Sequence, residues 1–257
     1  MISVVTVCKN DLNGLRRTVD SLRTQTFRDF EHIVIDSAST DGTVEYLRSI
    51  SPGVMTWTSE SDGGISEGFN KGIARSRGDW ILFLNAGDAL MQVNTFAELA
   101  PVIAAAYADG VGFVTGYEAD PAHAFRYPTG TKVDSMHLYE KARMAHQATF
   151  VRRDLFARYG LFSDCFRITM DYEFHIRALK SEKLVFVDKD ICLYDIHGIS
   201  TTAYFRAAAE TVRAQLLHVR GIKDLAMIVF FAVKWFSEKF ALGRNMHAQL
   251  RSGSHGH

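Results

Sequence analysis

The stretch Asp79–Leu90, DWILFLNAGDAL, joins an apolar, strand-like run ending at Leu84 to the polar turn Asn85-Ala86-Gly87-Asp88. A carboxylate at the carboxyl end of a buried strand stands where open α/β sheets hold their ligands, and small neighbours leave room for a bulky polyanion. The segment therefore reads as a site for a metal-bound diphosphate. The same letters also fit a plain strand end, because Asn, Gly and Asp are the usual turn residues.

Upstream of this stretch, strand and helix periods alternate, which is the pattern of βαβ units around a parallel sheet. Ile2 to Cys8 is a short β-branched run, and Leu12, Leu15, Val19 and Leu22 place one apolar stripe on a helix over about 11–26. Phe30 to Ile35 reads as a second strand. Ser39-Thr40-Asp41-Gly42 supplies capping chemistry for a helix carrying Val44, Leu47 and Ile50, which Ser51-Pro52-Gly53 ends. In this setting Asp41 reads as a helix brace and not as a ligand contact. A third strand is predicted near 54–58, and the spacing of Ile65, Phe69 and Ile73 predicts the helix that feeds the strand Trp80–Leu84. No Walker A sequence and no G-x-G-x-x-G follows the first strand, so P-loop and dinucleotide-dehydrogenase readings lose their main support.

Downstream, residues 95–108 read as helix and 111–116 as strand. Residues 120–141 show little periodicity and read as a loop-rich substrate region. A helix is predicted over 171–183, strands over 184–187 and 191–194, and two helices over 204–220 and 223–242. The last carries the apolar run Leu225–Val233, too short to span a bilayer. Lys223, Lys234, Lys239 and Arg244 beside Trp235 suit a helix lying in an anionic membrane interface, and packing on the core or on a second subunit suits it equally.

Composition narrows the class. The chain has 257 residues, 47% of them hydrophobic, with 29 Lys and Arg balanced by 29 Asp and Glu. One sizeable core is affordable, bulk charge gives no footprint for nucleic acid, and any anion must be held locally. Three separated cysteines, Cys8, Cys165 and Cys192, favour a reducing, cytoplasmic setting over a disulfide scaffold. The opening MISVVTVCKN reads as a first strand and not as a signal peptide.

Taken in order, the segments SVVTVCKN (3–10), TQTFRDFEHIVID (24–36), SASTDGT (37–43), SESDGGISEGFNKGIARSRGDWILFLNAGD (59–88), HQATFVRRDLF (146–156) and MDYEFHIRAL (170–179) resemble the inverting family 2 glycosyltransferases. The resemblance covers residues 1–200 and points particularly to the subgroup of bacterial capsule and exopolysaccharide pathways, such as colanic acid synthesis. It implies a GT-A fold: a Rossmann-like α/β unit with a mostly parallel central sheet flanked by helices. Residues 1–90 would form the nucleotide-binding half, 91–200 the acceptor and catalytic half, and 201–257 a helical extension that is membrane-interfacial or oligomerising.

The resemblance also assigns roles. Thr6, Cys8 and Asn10 fall near the nucleotide base, with Asp36 and Ser37 at the next strand end, where many members carry two consecutive Asp. Asp62, ahead of Gly63-Gly64, and Lys71 on the following helix fall along the donor, although an exposed helix lysine is the commoner outcome. Asn85, Ala86, Gly87 and Asp88 align with the family's D-x-D metal motif. Asp88 is the expected ligand of Mg²⁺ or Mn²⁺, its shell completed by diphosphate and water. His146 and Gln147 line the sugar and acceptor cleft, and His197 is a second candidate ligand whose alternative is a structural role. Asp171, in MDYE, is the expected base, with helix capping as its alternative role, and Glu173 ranks second. The implied partners are a nucleotide diphosphate-sugar donor and a saccharide or lipid-linked saccharide acceptor. The competing classes are a nucleotidyltransferase and a binding protein that has lost turnover.

Overall fold

The computed structural model describes residues 1–50, 55–120, 125–127, 144–193, 204–219, 221–230 and 233. The amino-terminal part is built of β1 (Ile2–Cys8), α1 (Leu12–Arg23), β2 (Phe30–Asp36), α2 (Thr43–Ser49), β3 (Thr56–Ser59), α3 (Ile65–Arg75) and β4 (Trp80–Phe83). There follow β5 (Ala89–Leu90), α4 (Thr95–Ala108), β6 (Phe113–Asp120), β7 (Phe125–Tyr127), a 3₁₀ turn (His146–Ala148), β8 (Thr149–Arg152), α5 (Asp154–Tyr159), α6 (Met170–Leu179), β9 (Leu184–Leu193) and α7 (Tyr204–Leu217). A further helical stretch covers 222–230.

The strands form one sheet in the order β3-β2-β1-β4-β8-β6-β9-β5, with β7 added alongside β6. The expected parallel arrangement holds from β3 to β4. Beyond β4 the sheet is mixed: β8 runs antiparallel to both β4 and β6, β9 is parallel to β6, and β5 returns antiparallel to β9. The two strands expected at 184–187 and 191–194 are one, β9. It accommodates the intervening polar residues by slipping register against β6 on either side of Tyr117.

β4 lies at the centre, and its alternation shows how the core is divided. Trp80, Leu82 and Leu84 join Phe96, Leu99, Val114 and Phe150 on one face, while Ile81 and Phe83 join Phe69, Phe113, Phe156 and Phe174 on the other. Two apolar layers, covered by α1 and α4 on one side and by α3, α5 and α6 on the other, hold β4 rigidly. The polar turn that follows it is therefore presented from a fixed edge. Gly72 lets α3 approach this sheet closely, since a Cβ there would meet Val5 Cγ1 at 2.2 Å.

Candidate active site

At the nucleotide half, the loops after β1 and β2 are tied into one unit. Asn10 sits at φ 50°. Its N–H donates to Ser39 Oγ at 2.7 Å, and its Oδ1 accepts from the Thr40 N–H at 2.8 Å. Asp41 braces the same junction, accepting from Leu12 N–H and from both the N–H and hydroxyl of Thr43. These bonds, the Thr43 hydroxyl foremost, hold its carboxyl below the usual range. The brace expected from the motif is present, and it joins two helix starts where one was foreseen.

Several residues assigned to the donor are occupied inside the protein. Thr6 is fully buried, its hydroxyl donating to the Leu84 carbonyl at 2.8 Å and lying 2.9 Å from His32 Nε2. This corrects the expectation of a base contact: period-two alternation turns Thr6 into the core. Cys8 is buried and burial pushes its thiol up to about 12, so it offers no thiolate. Asp36 accepts from Ser39 N–H at 3.0 Å, from the Ser39 hydroxyl, and from Ser59 Oγ at 2.6 Å. Ser37 donates to Asp62 Oδ1 at 2.9 Å, and the same oxygen accepts from Gly64 N–H. Lys71 spans Glu67 at 2.9 Å and Glu60 at 3.2 Å, so it is neither a lone surface charge nor an open cation. The Glu67 carboxylate, more than Glu60, raises its pKa.

The turn after β4 is pinned by a residue that sequence reasoning passed over. Thr18 of α1, fully buried, receives the Gly87 N–H at 3.1 Å and places its hydroxyl 2.7 Å from the Asp88 carbonyl and 3.0 Å from that of Asn85. Gly87 takes φ 103°, which suits glycine, and Ala86 N–H donates to the Val7 carbonyl at 3.2 Å. Asp88 itself is 3% exposed. Asn85 Oδ1 is buried without a hydrogen-bond partner.

On the far side, Thr149 secures the 3₁₀ turn by donating to the Ala145 carbonyl at 2.6 Å and pairing with Thr115 of β6 at 2.7 Å. His146 stacks on Phe83 with centroids 5.0 Å apart and touches Phe69 and Phe162. Burial holds it neutral, with its pKa down at about 3, and its Nε2 has no partner. Its Nδ1 faces Asp171 Oδ2 at 3.9 Å. Gln147 is partly exposed beside it.

Asp171 lies in the first turn of α6 and does not cap it; the cap position is Thr169. Burial raises its carboxyl above the ordinary range, opposed by His175 and by N–H groups of the helix start. Glu173 points elsewhere. Arg177 holds it at 2.9 and 3.1 Å and His218 Nε2 at 2.7 Å, so the second-ranked base candidate is already bonded within the protein. Although burial alone would raise its carboxyl, these donors keep it below the usual range.

The charges of Asp88 and Asp171 both act on a third carboxyl. Glu118 of β6 is buried and pushed up to about 8, chiefly by burial and then by the charges of Asp88 and Asp171. Cys192, its register partner on β9 and that of Leu90 on β5, is raised by burial and by Glu118 and Asp88. Sequence reasoning did not select Glu118; an acid within the apolar run of β6 was the available signal. Among the described residues no three His, Cys, Asp or Glu are arranged to hold a metal ion by themselves. His197 lies outside the described residues.

A mixed sheet with a helix-pinned carboxylate turn after its central strand, and a second, partly buried carboxyl on an adjoining helix, is the setting of a glycosyltransferase-type α/β protein. Residues 3–160 match the model of glycosyl transferase family 2, and the chain belongs to that family. It is an enzyme of the glycosyltransferase class. It is 34% identical over 206 residues to an uncharacterized glycosyltransferase of Mycobacterium tuberculosis, covering 78% of this chain and 77% of that one. A PGL/p-HBAD biosynthesis glycosyltransferase of Mycobacterium bovis is 30% identical, with 72% of each chain covered. In fold it is similar to the mannosyltransferase PcManGT of Pyrobaculum calidifontis, solved with GDP-Man and Mn²⁺: TM-score 0.70, 18% identity, all of this chain and 76% of that one. It is likewise similar to residues 1–349 of S. aureus TarS in complex with UDP-GlcNAc, with TM-score 0.70, 16% identity, and 92% and 72% coverage. The chain spans 43% of a longer TarS structure.

Proposed function

We propose that this enzyme transfers a sugar, with inversion, from a nucleotide diphosphate-sugar to a hydroxyl of a saccharide or lipid-linked saccharide during the building of a cell-surface polysaccharide or glycolipid. The observation that supports this reading is that the buried Glu118 feels the charge of both Asp88, after the central strand, and Asp171, 3.9 Å from His146 Nδ1. The glycolipid side of the acceptor class draws on the PGL/p-HBAD relative.

In this reading Asp171 takes the proton from the acceptor hydroxyl as its oxygen bonds to the anomeric carbon, while the bond from that carbon to the diphosphate oxygen breaks on the opposite face. A carboxyl raised by burial is a stronger base than an exposed one, which suits the task. Neutral His146 and Gln147 line the sugar and acceptor side. Asn10, Asp36, Ser37 and Asp62 shape the nucleotide side, with Thr6 and Cys8 supporting it from beneath, and Lys71 is freed from Glu60 and Glu67 to meet phosphate.

The turn fits a divalent cation, Mg²⁺ or Mn²⁺. Asp88 is a hard oxygen donor, the Asn85 Oδ1 is an unspent acceptor beside it, and the raised Glu118 marks a site short of positive charge. The cation would be held by Asp88 with the donor's diphosphate, and by His197 as a second candidate ligand. When bound it supplies charge neutralisation for the departing diphosphate.

Residues 1–200 form the catalytic unit in this reading, divided near residue 90 into nucleotide and acceptor halves, and 201–257 an extension. Among the described residues no helix is long and apolar enough to cross a membrane. Phe205, Leu216, Leu217, Ile222, Val229 and Phe230 are nonetheless exposed on the carboxyl-terminal helices, which supports peripheral docking on the inner membrane face near a lipid-linked acceptor. A homo-oligomer through the same face is the competing use.

The test is sugar transfer and nucleotide release measured with donor and Mn²⁺ for Asp88→Asn and Asp171→Asn, each checked for folding. Both should lose transfer; transfer by a folded Asp171→Asn enzyme would overturn the base assignment.

A further inference from the structure

In the first turn of the helix that carries the proposed base, Asp171 accepts from the N–H groups of Asp171 and Tyr172. Thr169 occupies the cap position of α6 without making a side-chain cap, and its Oγ1 is buried with no hydrogen-bond partner. The segment leading into the helix is held from across the fold. Glu210 of α7, 8% exposed, directs Oε2 at three successive N–H groups: Arg167 at 3.1 Å, Ile168 at 2.9 Å and Thr169 at 3.2 Å. Its other oxygen faces Arg206 Nε at 3.4 Å. Three consecutive N–H groups aimed at one carboxylate form an anion nest, and an anion at a helix start is stabilised by the helix dipole.

The same face of α7 grips α6 further along. Gln215 Nε2 donates to the Tyr172 hydroxyl at 2.9 Å, His218 reaches Glu173, Lys180 reaches the His218 carbonyl, and Ala214 is buried in the core layer with Phe174. Residues on either side of Asp171 are therefore anchored to α7, while Asp171 itself faces His146.

We infer that Glu210 is a positioning residue for catalysis: its carboxylate sets the start of α6 and thereby the placement of Asp171. This rests on Asp171 being the base. Positioning errors of about 1 Å at a reacting group cost on the order of 100-fold in rate, so removal of the carboxylate is expected to act on turnover and not on donor recognition, which is built from other loops.

The experiment compares wild type with Glu210→Ala, Glu210→Gln and Glu210→Asp in the full chain, measuring kcat, donor KM and thermal unfolding, with Asp171→Asn in parallel. The expectation is a fall of about 10- to 100-fold in kcat for Glu210→Ala with donor KM within about two-fold, and recovery of most of that loss by Glu210→Gln, whose amide oxygen still accepts from the nest. Glu210→Asp, one methylene short, should lose kcat in the same way. If Glu210→Ala fails to fold, the Gln and Asp variants decide. Lower unfolding temperatures with unchanged kcat in the folded variants would overturn the proposal, as would a parallel rise in donor KM. Should Asp171→Asn retain transfer, the base assignment itself falls; loss in Asp171→Asn with wild-type kcat in every Glu210 variant defeats the positioning role alone.

Discussion

His146 Nδ1 lies 3.9 Å from Asp171 Oδ2, a neutral imidazole against a carboxyl whose proton affinity burial has raised. The distance is too long for a hydrogen bond, so neither group consumes the other. The carboxyl stays available to an acceptor. It follows that kcat should decline on the acid side as Asp171 takes up its proton, with the midpoint above the ordinary Asp value of about 4. A kcat–pH profile checks this, and an acid limb at or below that value counts against a buried base.

Fold stability should also respond to acid, through a different group. Burial depresses the His32 pKa from 6.5 to about 3. The folded state therefore binds the proton less well than the unfolded chain does. Its contribution to stability is complete above pH 6.5 and is lost as the pH falls toward 3, with a slope of up to about 1.4 kcal/mol per pH unit. His146 and His175, also depressed, act with the same sign. Urea midpoints measured from pH 7 to pH 4 should fall less steeply in His32→Gln, which can still donate to Thr6; an unchanged slope would contradict the assignment.

Thr18→Val keeps shape and removes one hydroxyl. The Gly87 N–H and the Asp88 carbonyl lose their buried partner, which costs about 1–3 kcal/mol. Because those groups belong to the diphosphate turn, donor KM should rise as well. Thermal unfolding and donor titration read the two effects separately.

Lys71 tests the nucleotide side. Its bonds to Glu60 and Glu67 lie at the solvent, where such pairs add little to stability, so Lys71→Met should leave the unfolding temperature nearly unchanged. Donor binding should weaken in that variant, and its dependence on salt should flatten. Equal donor affinity in the two proteins would remove Lys71 from the phosphate site.

Mn²⁺ should bind measurably only when a nucleotide diphosphate is present, since Asp88 has no two further His, Cys, Asp or Glu arranged with it among the described residues. Calorimetry with and without nucleotide reads this directly. Chelation should abolish transfer reversibly, and tight Mn²⁺ binding without nucleotide would show that other ligands complete the shell.

Much of the architecture could be read from local periodicity. The stripe Leu12, Leu15, Val19, Leu22 became α1, the residues 95–108 became α4 without revision, and Trp80–Phe83 became the central strand. What periodicity does not carry is pairing direction, so the antiparallel β8 between β4 and β6 and the single long β9 emerged only from the assembled sheet.

The strand-end turn at Asp88 and the helix start at Asp171 stand where their motifs placed them, in a turn after the central strand and in the first turn of α6. The site was not legible where the role depends on which atoms arrive from elsewhere. Thr6 and Glu173 carry suitable chemistry, but the core and His218 with Arg177 claim them. Thr18 and Glu210 are the converse: nothing in their neighbours in sequence announces them, because the loop or nest they serve lies on another element.

The two sides of α7 have a consequence for where this enzyme ends. The side bearing Glu210, Ala214 and Gln215 is buried against the catalytic helix, and the side bearing Phe205, Val212, Leu216 and Leu217 is open. A chain shortened before Tyr204 would keep every residue assigned to donor and cation, yet would surrender the Glu210 carboxylate that holds the entry to α6. The practical boundary of the unit is thus α7, whose inner side holds the segment entering α6 and whose outer side is open.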